Sequence, residues 1–149
     1  PTTDAELDIQ IGRIYMQAGK PEELKNRLKY AQQRKAFNKV IGQFQAIQHM
    51  IADIKMAQYQ VECMLTDCAW KISNGRESLI ESTALKIVAS EQANKCADLG
   101  IQILGGMGYS AETDMQRYWR DSRLWRIGPI TNEMARNVIA ENLGLPRSF

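Results

Sequence analysis

Three groups of residues have types and spacings suited to chemistry. Arg34-Lys35-Ala36-Phe37-Asn38-Lys39 places cations around one aromatic side chain. A guanidinium grips phosphate oxygens by paired hydrogen bonds, and a neighbouring phenyl ring can cover an aromatic ligand. The same cations would also complement the negative end of a helix dipole. Residue types alone leave both readings open. Residues 100–109 read Gly-Ile-Gln-Ile-Leu-Gly-Gly-Met-Gly-Tyr. Gly105, Gly106 and Gly108 let backbone N–H groups approach something bulky or anionic, or they end a helix. The third group is Gly128-Pro129-Ile130-Thr131-Asn132-Glu133, a loop opening onto a last helix. Between the last two groups, Arg120-Asp121 reads as a local ion pair that fixes this loop.

Other candidates carry less. Asp4, Glu6, Asp8, Glu22 and Glu23 are carboxylates near the start, each equally at home on a solvated helix surface. His49 is the sole histidine and has no Ser or Cys partner at a recognisable spacing, so it reads as a helix residue rather than a catalyst. Cys63, Cys68 and Cys96 have no metal-ligand spacing and read as small buried hydrophobes in a reducing compartment. No metal site is expected.

The elements that must position these groups are helices. Proline occurs at positions 1, 21, 129 and 146, leaving the middle of the chain free for long helices. No alternating strand pattern is visible. Residues 5–18 predict a first helix with Leu7, Ile11, Ile14 and Tyr15 on one face. Pro21 then opens a second helix with Leu24, Leu28 and Ala31 as its stripe. Ile47, Ile51, Ile54, Val61, Leu65, Cys68 and Ile72 keep a four-three spacing broken only at Gln58, the seam of a long helix that Asn74-Gly75 ends. A third long helix is predicted over 77–104, with Ala84, Val88, Cys96, Leu99 and Ile103 inward. A shorter one follows over 112–125, capped by Ser110. Thr131 caps the last, anchored by Met134, Val138 and Ile139 and stopped by Gly144 and Pro146. Trp70, Trp119 and Trp125 read as core or interface aromatics. The fold class is all-α: an antiparallel up-down bundle of long helices plus a short C-terminal helix, a single domain over 1–149.

Composition agrees with an ordinary globular domain. The chain has 149 residues, 44% apolar and 24% charged, enough for one proper core. A net charge of +2 argues for neither nucleic acid nor a membrane surface. No apolar run is long enough to span a bilayer, and no signal peptide is visible.

The wording Gln-Ile-Leu-Gly-Gly-Met-Gly-Tyr, followed by Arg-Asp and a Gly-x-x-Thr-x-Glu loop, resembles the C-terminal helical domain of the acyl-CoA dehydrogenases. An Arg-x-x-Phe-Gly element and a following Phe/His-Gln bind the pyrophosphate and adenine side of FAD in that family, in a neighbouring subunit. Arg34 and Phe37 match, as does Gln45 in Phe44-Gln45, while Asn38 replaces the usual glycine. Asn also tolerates left-handed backbone. Gln102, Gly105 and Gly106 match the next contact with the partner's flavin. Thr131 and Glu133 match positions touching the flavin or its ribityl-phosphate region. Many members carry Tyr-Glu-Gly-Thr in the last loop, where the Glu is the catalytic base. Pro129 occupies that position here. The Gly-x-x-Thr-x-Glu form is similar to the isovaleryl-CoA dehydrogenases, whose base lies on the first long helix. Counting back from Arg34 puts that position at Asp8, with Ile9 where an Arg is expected.

The resemblance implies a C-terminal part of a longer flavoenzyme that removes the α and β hydrogens of an acyl-CoA thioester. It implies FAD as cofactor, acyl-CoA as substrate, an electron-transfer flavoprotein as acceptor, and a homodimer or homotetramer. The location would be the cytoplasm of a bacterium or the mitochondrial matrix of a eukaryote. The alternatives are an assembly subunit that has lost the base, and an acyl-CoA oxidase or flavin monooxygenase relative.

Overall fold

A computed structural model describes residues 21–147. The helix expected over residues 5–18, and Asp4, Glu6 and Asp8 with it, lie outside the described residues. Helix α1 (Pro21–Gln33) begins at proline, as expected. Arg34 leaves it, and two short strands follow, β1 (Lys35–Ala36) and β2 (Lys39–Val40). They pair antiparallel, Lys35 with Val40 and Ala36 with Lys39. No strand was expected here. Phe37 and Asn38 make the turn at φ of 52° and 64°. Two successive left-handed residues match the right-handed twist of a two-residue hairpin.

A 3-10 turn (Ile41–Gln43) leads into α2 (Gln45–Ser73). Twenty-nine residues without glycine or proline make this the longest helix described. Its buried residues are Ile54, Ala57, Val61 and Cys68, so Ala57 bridges the expected break at Gln58. Gly75, at φ 63°, ends it.

Helix α3 (Leu79–Leu104) returns beside α2. The side-chain pairs Lys71–Glu81, Gln60–Gln92 and Asp53–Lys95 join the two, one number rising as the other falls, so the helices are antiparallel. Helix α3 buries more than the predicted stripe. Ser82, Leu85, Lys86, Ala89, Ser90, Ala97 and Gly100 are buried too. Besides α2 it packs against α1, α4 (Gly106–Tyr109), α5 (Met115–Leu124) and α6 (Asn132–Asn142), which makes it the central helix. Two clusters form the core: Val61, Cys68, Leu85 and Ala89 with Trp125 against them, and Ile54, Ala57, Cys96 and Ile103 with Leu24 and Leu99.

Several local expectations need correction. Asp114, not Ser110, precedes α5, and Ser110 Oγ instead accepts from the Glu112 N–H (3.3 Å) in a local turn. Ala135, fully buried, anchors α6 where Met134 is exposed. Cys63 is exposed, unlike Cys68 and Cys96. Of the tryptophans expected in the core or at an interface, Trp125 packs on the core and Trp70 and Trp119 are exposed, which does not contradict that expectation. Thr131 does cap α6, its Oγ1 accepting from the Met134 N–H at 3.1 Å. The fold is all-α, apart from the one hairpin among the described residues.

Candidate functional site

The expected site residues that the structure describes fall in two regions. The first joins the hairpin to the end of α3. The Arg34 N–H donates to the Tyr30 carbonyl (2.8 Å), which ties the start of the hairpin to α1, and the Arg34 carbonyl accepts from Ile41 (2.8 Å), which closes the hairpin on Arg34. Tyr30 in turn donates its hydroxyl to the Leu104 carbonyl at 3.4 Å. That bond ties the turn of α1 just before Arg34 to the end of α3, where the glycine corner begins. Phe37 stands at the tip, 90% exposed. Its ring meets Phe44 edge-on at 6.2 Å, and Lys39 Nζ lies 4.1 Å from the Phe44 ring. A left-handed backbone is costly for a phenylalanine, and the two-residue hairpin turn requires it here.

Gln102, Gly105 and Gly106 are exposed at the same end. Gly105 takes φ 62°, and a Cβ at Gly105 or Gly106 would meet nothing within 4 Å. This corner is open for a ligand to touch its backbone. Gly108 differs. A Cβ there would lie 2.8 Å from the Ile101 Cα and 2.9 Å from its carbonyl oxygen. The bulky neighbour of Gly108 is α3 itself. Gln45 is exposed at the start of α2, where the preceding Phe44 offers no side-chain cap. First-turn N–H groups there add positive potential.

The second cluster surrounds the start of α6. Lys86 is 4% exposed on α3. Its Nζ donates to the Ile130 carbonyl (2.7 Å) and to Asn132 Oδ1 (2.6 Å). Burial pushes the Lys86 pKa down. Asn132, 1% exposed, donates through Nδ2 to Ser90 Oγ (3.0 Å) and Glu91 Oε1 (3.3 Å). Arg136 Nη2 donates to Glu91 Oε1 at 2.6 Å and holds that carboxyl below its usual pKa. Glu133 is lowered as well, first by the backbone N–H it accepts, then by the Thr131 side chain. Pro129 follows Gly128 through a cis bond in the same loop.

Arg120 and Asp121 do not form the expected ion pair. Both are exposed, and successive helical residues do not face each other. The loop is tied instead by Lys86 and by the Asn132 N–H, which donates to the Arg126 carbonyl (3.0 Å). Sequence reasoning missed Lys86 and also Arg27, 2% exposed, whose Nη2 donates to Met115 Sδ at 3.5 Å. Gly100 makes room for Arg27 and Met115, since a Cβ there would lie 2.6 Å from Met115 Sδ. The available signal was spacing: Arg27 lies between Leu24 and Ala31 on a stripe facing inward. His49 is exposed on α2. Among the described residues, no group of three or more His, Cys, Asp or Glu is placed to hold a metal, and no helix is long and apolar enough to cross a membrane.

The two clusters lie roughly 20 Å apart along α3, at about 1.5 Å rise per residue. An arginine, a projecting aromatic ring and a bare glycine corner suit a ligand that combines phosphates with a flat ring. The class defined is thus an all-α helical-bundle domain with an arginine, an aromatic ring and a glycine corner exposed at its surface. The family is settled by comparison. Residues 10–144 match the model of the acyl-CoA dehydrogenase C-terminal domain, and the chain belongs to that family. It is 40% identical over 116 residues to a probable acyl-CoA dehydrogenase, YngJ, of Bacillus subtilis, covering 78% of this chain and 30% of that one. The crystal structure of an acyl-CoA dehydrogenase from Geobacillus kaustophilus superposes with a TM-score of 0.88 at 25% identity, covering 95% of this chain and 37% of that one. An FAD complex of PigA matches with a TM-score of 0.78 at 32% identity, covering 83% and 32%. The chain therefore spans about a third of the length of these relatives.

Proposed function

We propose that these residues form the C-terminal helical domain of an FAD-dependent acyl-CoA dehydrogenase, supplying cofactor contacts and an oligomer interface. The observation that carries this reading is the bond from Tyr30, one turn before the exposed Arg34, to Leu104, the residue before the open Gly105-Gly106 corner. The residues present fit the dinucleotide. The Arg34 guanidinium suits the pyrophosphate, the Phe37 ring suits the adenine side, and Gln45 and Gln102 offer amide hydrogen bonds. Backbone at Gly105 and Gly106 can approach where any side chain would intrude. Thr131 and Glu133 would hold the flavin or its ribityl-phosphate region. One chain carries these clusters too far apart to surround one ring system. That supports contacts to two cofactors, one its own and one the neighbour's, in a homodimer or homotetramer. When bound, FAD supplies a hydride acceptor for the β-hydrogen of an acyl-CoA substrate.

The α-proton needs a base. Pro129 has no proton-accepting side-chain atom, and Asp8, the candidate by resemblance, lies outside the described residues. A carboxylate there would take the α-proton. An electron-transfer flavoprotein is the proposed electron acceptor, and the bacterial cytoplasm or the mitochondrial matrix the proposed location. Pro129 favours a second reading, an assembly subunit that has lost the base.

The test is the visible flavin spectrum of the full natural chain, recorded before and after anaerobic addition of a panel of acyl-CoA thioesters. Bleaching by one thioester is expected and would name the substrate class. Asp8→Asn should then slow bleaching by about 100-fold or more, the usual scale for loss of a general base, and Glu133→Gln should weaken flavin retention. A bound flavin that no thioester reduces would sink the dehydrogenase reading in favour of the second.

A further inference from the structure

Nothing in the chemistry above employs Lys86, yet lysine is seldom buried unless it is paired. Its partners are specific: the Ile130 carbonyl at 2.7 Å and Asn132 Oδ1 at 2.6 Å. The first lies 44 residues away in sequence and the second 46. One side chain of α3 thus reaches both the end of the last loop and the first residue of α6. A trans peptide is planar, so its C=O and the following N–H point opposite ways. With the Ile130 carbonyl turned inward to Lys86, the Thr131 N–H is turned outward. Asn132 is locked from the other side by Ser90, whose hydroxyl donates to the Ile87 carbonyl (2.9 Å), and by Glu91, held by Arg136. Charge-assisted bonds to a lysine ammonium are stronger than neutral ones.

We propose that Lys86 is a positioning residue for the cofactor-facing loop: by holding the Ile130 carbonyl and the Asn132 amide it sets the direction of the Thr131 N–H and of the Thr131 and Glu133 side chains. The claim rests on the FAD reading for its ligand, and on the hydrogen bonds alone for its geometry.

The test uses the full natural chain with Lys86→Met, and Ile54→Ala as a control for general destabilisation. Ile54 is buried in the core and belongs to neither candidate site region. Two quantities are read: FAD affinity by reconstitution of the apoprotein, and amide hydrogen exchange at Asn132 and Met134, whose N–H groups donate to Arg126 and Thr131. Lys86→Met should weaken FAD by roughly tenfold and speed exchange at those two amides. Ile54→Ala should do neither, although it lowers the melting temperature. If Lys86→Met does not fold, Lys86→Gln, which keeps a neutral donor, carries the same comparison. Unchanged exchange at Asn132 and Met134 overturns the proposal, and so does an equal loss of FAD in Ile54→Ala. If the unsubstituted chain binds no flavin, the FAD reading fails on its own, and the exchange comparison still decides the role of Lys86.

Discussion

Replacing Gly108 by alanine, beside the same change at Gly106, separates packing from ligand contact within one short motif. At Gly108 the new Cβ would sit 2.8 Å from the Ile101 Cα, 2.9 Å from its oxygen and 3.0 Å from the Leu104 Cβ. Ordinary contacts of this kind lie near 3.5–4.0 Å. Two of the three atoms belong to the backbone of α3, which cannot swing aside as a side chain would. Helix α4 must therefore move by several tenths of an ångström, and overpacking of this sort costs about 2 kcal/mol. For 149 residues alone that would lower the melting temperature by roughly 4–8 °C, and proportionally less in a longer natural chain. At Gly106 the new Cβ meets nothing within 4 Å, and the residue is helical with no positive φ. Alanine there is neutral or stabilises by up to about 1 kcal/mol. Its cost should fall on FAD affinity, because the added methyl group occupies the open corner. Thermal unfolding and FAD titration of both variants in the full natural chain give the answer. A Gly106→Ala protein destabilised as much as Gly108→Ala would refute the division. So would Gly106→Ala with unaltered flavin affinity, which would leave the corner with no ligand to touch.

Two further outcomes follow from bonds at the start of α6. Thr131→Ala removes the cap on the Met134 N–H and should cost about 1 kcal/mol; a melting temperature equal to that of the parent would contradict it. The Glu91 carboxyl is held below its usual pKa chiefly by Arg136. A depressed folded-state pKa contributes stability that is present above the unfolded value, about 4.3 for Glu, and is lost as pH falls through the folded one. Both side chains are more than a third exposed, so solvent screening limits the effect to about 0.5–1 kcal/mol. Denaturant midpoints of the parent and Glu91→Gln should differ at pH 7 and converge below about pH 4; a difference that persists undiminished in acid would remove the ion pair as its cause.

What the sequence could disclose depended on how local each cause was. Helices α2 and α3 were legible because a proline-free, glycine-poor run with a three-four stripe has few other ways to bury its apolar face. The Thr131 cap was legible because its bond spans three residues. The hairpin at Phe37-Asn38 was not. Two-residue strands have no alternation to read, and phenylalanine is a poor advertisement for positive φ. Gly106 and Gly108 look alike as letters and differ only in what stands opposite them. Arg27 and Lys86 were missed for the deepest reason. A cation is read from sequence as solvent-facing, and only the fold reveals a partner 88 or 44 residues away. Yet their surroundings did carry a trace. Lys86 is flanked by Ser82, Thr83, Ala89 and Ser90, small residues that leave space around a long side chain, and Gly100 clears the path of Arg27. A buried cation needs such space as well as an acceptor. A Lys or Arg on the inward stripe of a helix, with small residues beside or opposite it, is therefore better read as a tether to a distant element than as a solvated surface charge.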